Sequence, residues 1–442
     1  MTGLLDGLKV VEFAQNLAVP YCGRLLAGLG ADVVKVEPPG GDAMRHVAQL
    51  SERESKAFAV INPGKRAMAV DLGHAEARIV VDGLFAWADI ALVAFKPDDL
   101  VRYGIDWDTA RAANPRLIHL TSSALGPEGP DAADPGYDGL VQGRSGLGWL
   151  MNRSNGSAPQ STRPAINDAS TGMVSLAAVL VALRHRDQTG EGQRVDTSLL
   201  GTAMGLATPI AGRFPGDAES LAELDEELAA LRIADVGFDE QRAHYDRRVE
   251  PAGGVFLLYF RHYRTADGLV SVAGISPGLI ARFHRITGLP VPEVRDTDDP
   301  GFRRLVAEAE ELFASRTTAE WIAELRAGGY PCGPYHLPHE AIDDPQVRAN
   351  DYMIDLDHPT IGTYSTSGMP MRFEKGSASV PGPSPGLGQH TRSVLAEIGL
   401  DEATTDRLVD GGIVVDGNTV IDGNTVVDGN TVIDGNVDGS GR

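Results

Sequence analysis

The sequence predicts an α/β protein whose core is a parallel β-sheet with helices on both faces. Within the first 120 residues, short apolar segments of strand character alternate with segments of helical spacing. This alternation is typical of right-handed βαβ crossovers. The length of 442 residues exceeds that of one ordinary compact domain, so we expect two or more.

Each predicted element follows from its local pattern of apolar residues. A continuous apolar run between turn residues predicts a buried strand, and helical spacing predicts a helix between two strands. Residues 122–167, rich in Gly, Pro, Ser and Asn, interrupt the pattern and predict functional loops. The predicted strands are 9–13, 32–37, 68–72, 89–95 and 116–121, and the predicted helices are 20–30, 75–87 and 170–186.

The second half of the chain predicts a separate mixed unit. Residues 255–330 contain a strand–turn–strand pattern around residues 266–268, followed by helical segments near 276–287 and 300–327. Residues 331–372 return to strand and loop, and two terminal helices are expected over 389–400 and 401–410.

The formal net charge of −22 comes from 39 basic and 61 acidic residues. Residues 217–250 carry 11 acids and 4 Arg, and residues 410–442 carry 6 Asp and 1 Arg. These segments look like a solvated connector and a solvated tail. The negative charge argues against partners such as nucleic acid or anionic membrane, which need clustered Lys and Arg.

Cysteine content and the N-terminus predict a cytoplasmic protein. Two cysteines, Cys22 and Cys332, do not make a disulfide framework. The N-terminus lacks the apolar core of a signal peptide. The longest apolar run, residues 173–183, is shorter than the ~20 residues of a membrane span.

The C-terminus carries a six-residue repeat. DGNTVI at 416–421 is followed by DGNTVV at 422–427 and DGNTVI at 428–433. The Asp-Gly and Asn positions suit tight turns, and the Thr-Val-Ile runs suit short strands. Three or four copies are too few to bury a core of their own, so we interpret the repeat as an expansion within a tail. No metal is expected there.

Several common site motifs are missing. The turn after the first strand lacks GxGxxG, so the usual dinucleotide fingerprint is absent where it belongs. The sequence has neither a GxxxxGK[ST] P-loop nor a GxSxG nucleophile elbow. The His and Cys spacing supports no zinc site.

Seven segments stand out by their residues, order and spacing. They are LLDGLKVVEFAQNLAVPYCGRLLAGLGADVVKVEPPGGD at 4–42, KRAMAVDL at 65–72, NPRLIHLTSSALGPEGP at 114–130, PGYDGLVQGRSG at 135–146, RPAINDASTG at 163–172, YRTADGLVSVA at 263–273 and GGYPCGPY at 328–335. Taken in order, they resemble the family III CoA-transferases, the group that contains formyl-CoA and carnitine CoA-transferases. The resemblance spans about residues 3–400, and no counterpart in that family is known for the tail after about residue 405.

The resemblance implies a Rossmann-like large domain, built from N- and C-terminal segments, with a smaller inserted α+β domain. It also implies a homodimer whose subunits interlock like links of a chain. The expected organisation is a first part of the large CoA-binding domain at 1–212, an acidic connector at 213–250, a small domain at 251–330, a return segment at 331–405 and a repeat tail at 406–442.

Asp168 is the candidate nucleophile. Its position directly before an apolar helix alone predicts an N-cap residue. The carboxylate of such a residue accepts backbone N–H bonds and stays ionised. The resemblance places the family's nucleophilic aspartate here. The role it implies is attack on an acyl-CoA thioester, followed by an aspartyl-CoA thioester that a small carboxylic acid resolves. Coenzyme A enters as acyl-CoA substrate, and neither a metal nor a redox cofactor is expected.

Two neighbours bear on the reaction type. Asp138 matches a family position that carries an acidic residue near the nucleophile, and it is equally readable as a turn residue. Tyr137 stands where the related α-methylacyl-CoA racemases have a His that moves the α-proton. Tyr is a far weaker base near neutral pH, which favours transfer over racemisation.

The resemblance also assigns CoA contacts. Ala94 departs from formyl-CoA transferase, which has Asn there, and this weighs against a formyl/oxalate substrate pair. Gly253-Gly254 is the nearest candidate for the family's glycine-rich loop. The residues matching CoA contacts are Gln15, Asn16 and Ala18 in the first turn and Lys65, Arg66, Phe95 and Arg102 in the adenine and phosphate region.

Two other hypotheses remain open beside transfer. One is a racemase or epimerase of 2-methylacyl-CoA. The other is a non-catalytic CoA-binding protein that uses its repeat tail for interactions.

Overall fold

The computed structural model describes residues 3–51, 54–151, 158–249, 257–293 and 299–417. The chain forms two compact units. The first lies within residues 1–153, 160–212 and 346–442, and the second lies within residues 154–159 and 213–345.

Strands occur in both units. Those of the first unit are β1 (Lys9–Phe13), β2 (Asp32–Glu37), β3 (Arg66–Val70), β4 (Ile90–Val93), β5 (Ile118–Ser123), β6 (Gln193–Ser198), β10 (Met353–His358), β11 (Gly362–Ser367) and β12 (Val414–Val415), and those of the second are β7 (Phe260–Arg264), β8 (Leu269–Ala273) and β9 (Cys332–Pro334).

Helices connect these strands. Those of the first unit are α1 (Ala18–Gly28), α2 (Lys56–Ile61), α3 (Ala77–Trp87), α4 (Pro97–Tyr103), α5 (Trp107–Ala113), α6 (Asp138–Ser145), α7 (Leu147–Met151), α8 (Ile166–Thr189), α9 (Leu199–Ala211), α17 (Thr391–Glu397) and α18 (Glu402–Asp410). The others are α10 (Ala218–Ile233), α11 (Phe238–Val249), α12 (Pro277–Thr287), α13 (Pro300–Ala314), α14 (Thr318–Ala327), α15 (Pro338–Ala341) and α16 (Pro345–Ala349).

The first unit is built on a seven-stranded sheet in the order β12-β3-β2-β1-β4-β5-β6. All neighbours are parallel except β12, which pairs antiparallel with β3. The order 3-2-1-4-5-6 is that of the Rossmann fold. The predicted α/β architecture with a parallel sheet is therefore confirmed.

The two faces of the sheet carry separate apolar cores. One face packs on α3, α5, α17 and α18, and the other packs on α1 and α8. Strands β1 to β4 are buried on both faces, which explains why they appear in the sequence as continuous apolar runs.

Helix α8 is the longest helix of the described chain. By length and composition alone it could cross a membrane, and within the described residues it is the one helix that passes this test. It packs along α1 and against β5 and β6, as a helix that covers a parallel sheet does.

The C-terminal part of the first unit corrects the predicted start of the tail at residue 406. Helix α18 runs to Asp410, and β12 then pairs Val414 with Val70 and Val415 with Ala69. Leu408, Ile413 and both valines are buried in the core. The repeat pattern disguised this strand, because its apolar residues are the same as those of the copies that follow. The remainder of the predicted tail, 418–442, lies outside the described residues.

The second unit has an aromatic core between the β7-β8-β9 sheet and its helices. Tyr263 stacks on Phe313 with ring centroids 4.1 Å apart, and the Trp321 Nε1–H donates to the Phe313 carbonyl at 2.9 Å. The acidic segment at 213–250, whose Leu spacing predicts partly helical structure, forms helices α10 and α11 with Leu224 and Leu228 buried.

A group of buried charges lies beneath the turn between β1 and α1. Glu12 stands opposite Lys35 in the sheet and accepts hydrogen bonds from Lys35 Nζ at 3.1 Å and from Lys65 Nζ at 2.8 Å. All three side chains are fully buried. Lys35 Nζ also lies 2.8 Å from Asp42 Oδ2, so each cation faces a carboxylate.

A second buried pair completes the group. Arg45 donates to both carboxylate oxygens of Glu37, at 2.7 and 2.8 Å, and the Asp42 amide donates to Glu37 at 2.9 Å. The negative charges of three buried acids thus balance the positive charges of three buried bases.

We predict that Glu12→Gln destabilises the protein by about 3–5 kcal/mol, because it leaves two buried lysines without their shared counter-charge. Urea unfolding measures this loss. The matched control is Asp82→Asn, which breaks an exposed 2.8 Å pair with Arg78 and should cost no more than about 1 kcal/mol. Equal, small losses in both variants would contradict the importance of the buried group.

Candidate active site

The strand order places a binding crevice between β1 and β4. In an open parallel sheet, ligands bind at the carboxyl ends of the strands, where the strand order reverses direction. Here the chain runs outward from β1 through β2 to β3 on one side and from β4 to β6 on the other. The loops after β1 and β4 therefore border the crevice.

The loop after β1 is held in a defined conformation. Asn16 has a positive φ of 67°, an unusual conformation for a residue other than glycine. Its amide donates to Asp42 Oδ1 at 3.3 Å, and the Ala43 amide donates to Gln15 Oε1 at 3.2 Å. Ala18 follows as the first residue of α1. Gln15, Asn16 and Ala18 thus lie together on one rim of the crevice, and their contact with CoA stays a prediction.

The loop after β4 forms the opposite rim. Phe95 packs edge-on against Tyr103 with ring centroids 5.7 Å apart. Arg102 of α4 is exposed, and its nearest acidic contact is Asp99 at 4.0 Å. This guanidinium is available to an anionic ligand.

Lys65 and Arg66 do not fit the predicted phosphate-binding role. Lys65 Nζ is buried and already donates to Glu12, the Pro20 carbonyl and Asn62 Oδ1. Burial lowers the pKa of Lys65 to about 8.

Arg66 is also engaged in ion pairs within the fold, and it lies at the amino ends of the strands, opposite the carboxyl ends that border the crevice. It begins β3 and donates two hydrogen bonds each to Asp32 and Glu397, at 2.6–2.9 Å. The sequence motif correctly marks a cationic pair, but the fold uses both cations internally.

The start of α8 differs from the prediction for Asp168. The helix begins at Ile166 with Ala165 at the N-cap, so Asp168 is the third helical residue rather than the cap. Asp138 supplies the cap instead, from the first position of α6. Its Oδ2 accepts hydrogen bonds from the Asn167 amide at 2.7 Å and from the Asp168 amide at 3.1 Å.

Asp138 is itself buried and oriented. The Gln142 side-chain amide donates to Asp138 Oδ1, and Gln142 Oε1 accepts from the Thr162 amide at 2.9 Å. Gln142 therefore ties α6 to the segment before α8. Gln142 was not among the residues expected from the sequence, although its i, i+4 spacing from Asp138 could have indicated the contact.

The carboxylate of Asp168 is left free by this arrangement. Within the described residues, no group donates a hydrogen bond to its oxygens. Burial, with the nearby negative charge of Asp138, raises the pKa of Asp168 to about 6. The expectation of a strongly ionised cap residue was wrong, because the helix amides that would stabilise the anion are already bonded to Asp138.

Close packing brings Asp168 to the first rim of the crevice. One turn after it, Gly172 contacts the start of α1, and a Cβ there would lie 2.6 Å from the Ala18 carbonyl oxygen. Both α1 and α8 begin at the carboxyl edge of the sheet, since β1 precedes α1 and β6 follows α8. The nucleophile candidate and the β1–α1 turn are therefore neighbours.

Tyr137 lies directly before α6 and is exposed, at 72% of its surface. Its backbone carbonyl accepts the Leu140 and Val141 amides. The structure thus places its ring on the surface beside Asp138. Gly253-Gly254, the candidate glycine-rich loop, lies outside the described residues.

No cluster of three His, Cys, Asp or Glu side chains suited to a metal occurs in the part of the chain that the structure describes. Asp168 and Asp138 are two carboxylates at the N-terminus of the same helix, α8. Asp138 accepts two amides of α8, and Asp168 has no donor among the described residues.

Comparison with known proteins matches this chain to one family. The model of CoA-transferase family III matches residues 5–391. Relatives include a succinate–glutarate CoA-transferase of Agrobacterium fabrum, 30% identical over 90% of this chain and 97% of that protein. A succinyl-CoA:mesaconate CoA-transferase of Haloarcula hispanica is 29% identical over 91% of this chain and 98% of that protein.

A solved structure agrees with the fold over the same extent. A CAIB/BAIF family protein from Brucella suis superimposes with a TM-score of 0.71 at 29% identity, covering 90% of this chain and all of the other. The chain therefore belongs to CoA-transferase family III and is a CoA-transferase.

Proposed function

We propose that the protein moves CoA between an acyl-CoA donor and a free carboxylic acid through covalent intermediates on Asp168. The observation that carries this proposal is that two neighbouring carboxylates have different hydrogen-bond environments. Asp138 takes the backbone donors of α8, and Asp168 is left partly exposed beside the crevice. A carboxylate without hydrogen-bond donors is a better nucleophile than one that caps a helix.

The reaction follows from that nucleophile. Asp168 attacks the thioester carbonyl, the C–S bond breaks, and a mixed anhydride forms with release of CoA thiolate. The thiolate attacks the aspartyl carbonyl and releases the donor acid. The acceptor carboxylate then attacks the aspartyl-CoA thioester, whose C–S bond breaks, so that a second mixed anhydride forms and CoA thiolate leaves. That thiolate attacks the acceptor's acyl carbon and expels the Asp168 carboxylate. The products are the new acyl-CoA and the Asp168 carboxylate.

The groups on the two rims of the crevice suit the CoA ligand chemically. Backbone donors at the start of α1 suit phosphate, as helix N-termini do, and Arg102 adds a cation on the other rim. Phe95 offers an apolar surface to the adenine. The relatives described above are named for succinate, glutarate and mesaconate, which are small dicarboxylic acids, and we propose a small carboxylic acid as the acceptor here. An interlocked homodimer and a cytoplasmic location remain part of the proposal.

We predict that Asp168→Asn lowers kcat for CoA transfer by on the order of 10³-fold or more, because the nucleophile is lost. Transfer is followed with a panel of acyl-CoA donors and free acids by mass spectrometry. Hydroxylamine should trap a hydroxamate on Asp168 of the parent protein only when acyl-CoA is present.

The matched control is Asp187→Asn, an exposed carboxylate on the same helix, which should keep full activity. Full activity of Asp168→Asn would refute the mechanism. Solvent deuterium at the α-carbon of a 2-methylacyl-CoA, without any acceptor acid, would favour racemisation instead.

We predict that kcat/KM falls as the pH drops through about 6, since protonation of Asp168 removes the nucleophile. Asp138→Asn should shift this acid limb to lower pH. Part of the rise in the Asp168 pKa stays, because burial is its larger cause. Asp134→Asn, at an exposed site in the preceding loop, should leave the limb in place. An unmoved limb in Asp138→Asn would contradict the coupling.

We predict that Arg102→Ala raises KM for acyl-CoA by about 5- to 30-fold with little change in kcat, as expected for one charge-assisted hydrogen bond to phosphate. Steady-state kinetics at fixed ionic strength measures this. Arg111→Ala, an exposed arginine at the far end of α5, is the control and should behave as the parent. A loss confined to kcat would assign Arg102 another role.

A further inference from the structure

The edge strand β12 is the first copy of the C-terminal repeat. Residues 413–418 read IVVDGN, and the chain continues with TVIDGN at 419–424, TVVDGN at 425–430 and TVIDGN at 431–436. The repeat therefore starts one strand earlier than the sequence alone suggested. Its first copy has a place in the fold, and three further copies follow it directly.

Much of what holds β12 is backbone, which any copy possesses. The Asp71 amide donates to the Ile413 carbonyl at 2.8 Å, and Thr391 Oγ1 donates to the Val415 carbonyl at 2.6 Å. The antiparallel pairing to β3 adds its own ladder. None of these contacts depends on the side chains of the repeat.

The side-chain contacts of β12 fall on positions that the later copies share. Val414 and Val415 are buried, at 1% and 7% exposure. Asp416 Oδ2 accepts from Arg392 Nε at 2.7 Å. Each later copy has Val at the second position, Val or Ile at the third and Asp at the fourth.

The repeat length preserves the orientation of the side chains. Successive residues of a strand point to opposite faces, so a slip by an odd number would turn the apolar residues outward. The repeat is six residues long, which is an even number. A slip by one copy therefore places Val420 in the position of Val414, on the same face, and Asp422 in the position where Asp416 contacts Arg392.

We propose that the later copies are spare edge strands for the sheet. The docking surface is the edge of β3 together with Thr391 and Arg392, and its occupant is one hexad of this same chain. When the first copy cannot pair, the next copy takes its place. The exposed edge of β3, with its unpaired backbone groups, then stays covered and does not recruit other chains.

The first copy is preferred for a physical reason. It begins with Ile413, which is 4% exposed, whereas each later copy begins with Thr. Placing Thr in that buried position forfeits apolar burial and hides a hydroxyl. The longer connection that a slip requires adds little, because loop entropy grows slowly with length.

The test is a double-mutant cycle on the full-length chain. One change is a lesion in the first copy, Val414→Ser with Val415→Ser. The other change replaces the apolar residues of the three later copies, so that they cannot pack in the sheet, and leaves the first copy intact. The blocking substitutions are Val420→Ser, Ile421→Ser, Val426→Ser, Val427→Ser, Val432→Ser and Ile433→Ser.

Thermal unfolding of the four chains gives the answer. The lesion should lower Tm at least about three-fold more in the blocked chain than in the natural one, and blocking alone should leave Tm unchanged. Equal losses with and without the spares would overturn the proposal.

Cross-linking gives a second measure that holds even where the blocked, lesioned chain does not fold. Arg392→Cys is combined with Asp416→Cys in the parent and with Asp422→Cys in the lesioned chain. After oxidation, a disulfide within one chain is expected in each, between positions 392 and 416 and between positions 392 and 422. A lesioned chain that forms no such disulfide, or forms it between two chains, would refute the intramolecular exchange.

Discussion

The buried carboxylate of Glu12 is the constraint around which the binding edge of the large unit is arranged. It lies between Lys35 and Lys65, out of contact with water. A buried charge is tolerated only when it is paired and hydrogen-bonded, so both lysines are fixed by it. The helix above must also leave room. Gly23 of α1 does so, since a Cβ there would lie 1.9 Å from Glu12 Oε2.

The consequence of this pairing reaches the ligand through Asp42. Lys35 lies against one of its carboxylate oxygens, and the other accepts the amides of Asn16 and Met44. Lys35, with burial as an opposing effect, keeps the pKa of Asp42 below its usual range. The strained turn at Asn16 is thus held by the Asp42 carboxylate, which is held by Lys35, and Lys35 is in turn paired with Glu12. Mutations in this group should therefore affect both folding and the shape of the crevice.

The sequence was informative where a pattern is local and less so where a partner is distant. Strands β1 and β2 were predicted to the residue, because their two-sided burial produces unbroken apolar runs. Asp168 was identified through resemblance, but its position in the helix was misread. Spacing shows that an Asp stands near a helix start, and it cannot show that Asp138, 30 residues earlier, already occupies the amides. The internal partners of Lys65 were missed for the same reason, since they lie on β1, on α1 and directly after α2.

These arrangements bear on how an acidic protein binds a polyanion. Of the cations that the resemblance assigned to CoA, Lys65 and Arg66 are neutralised within the fold, and Arg102 is left exposed. We therefore propose that phosphate recognition rests on backbone donors of the β1–α1 turn and of the α1 N-terminus more than on side-chain charge. Backbone donors are fixed dipoles that a net charge of −22 spread over the chain changes little. In this proposal the buried charges under the turn contribute to binding because they fix the direction of those donors.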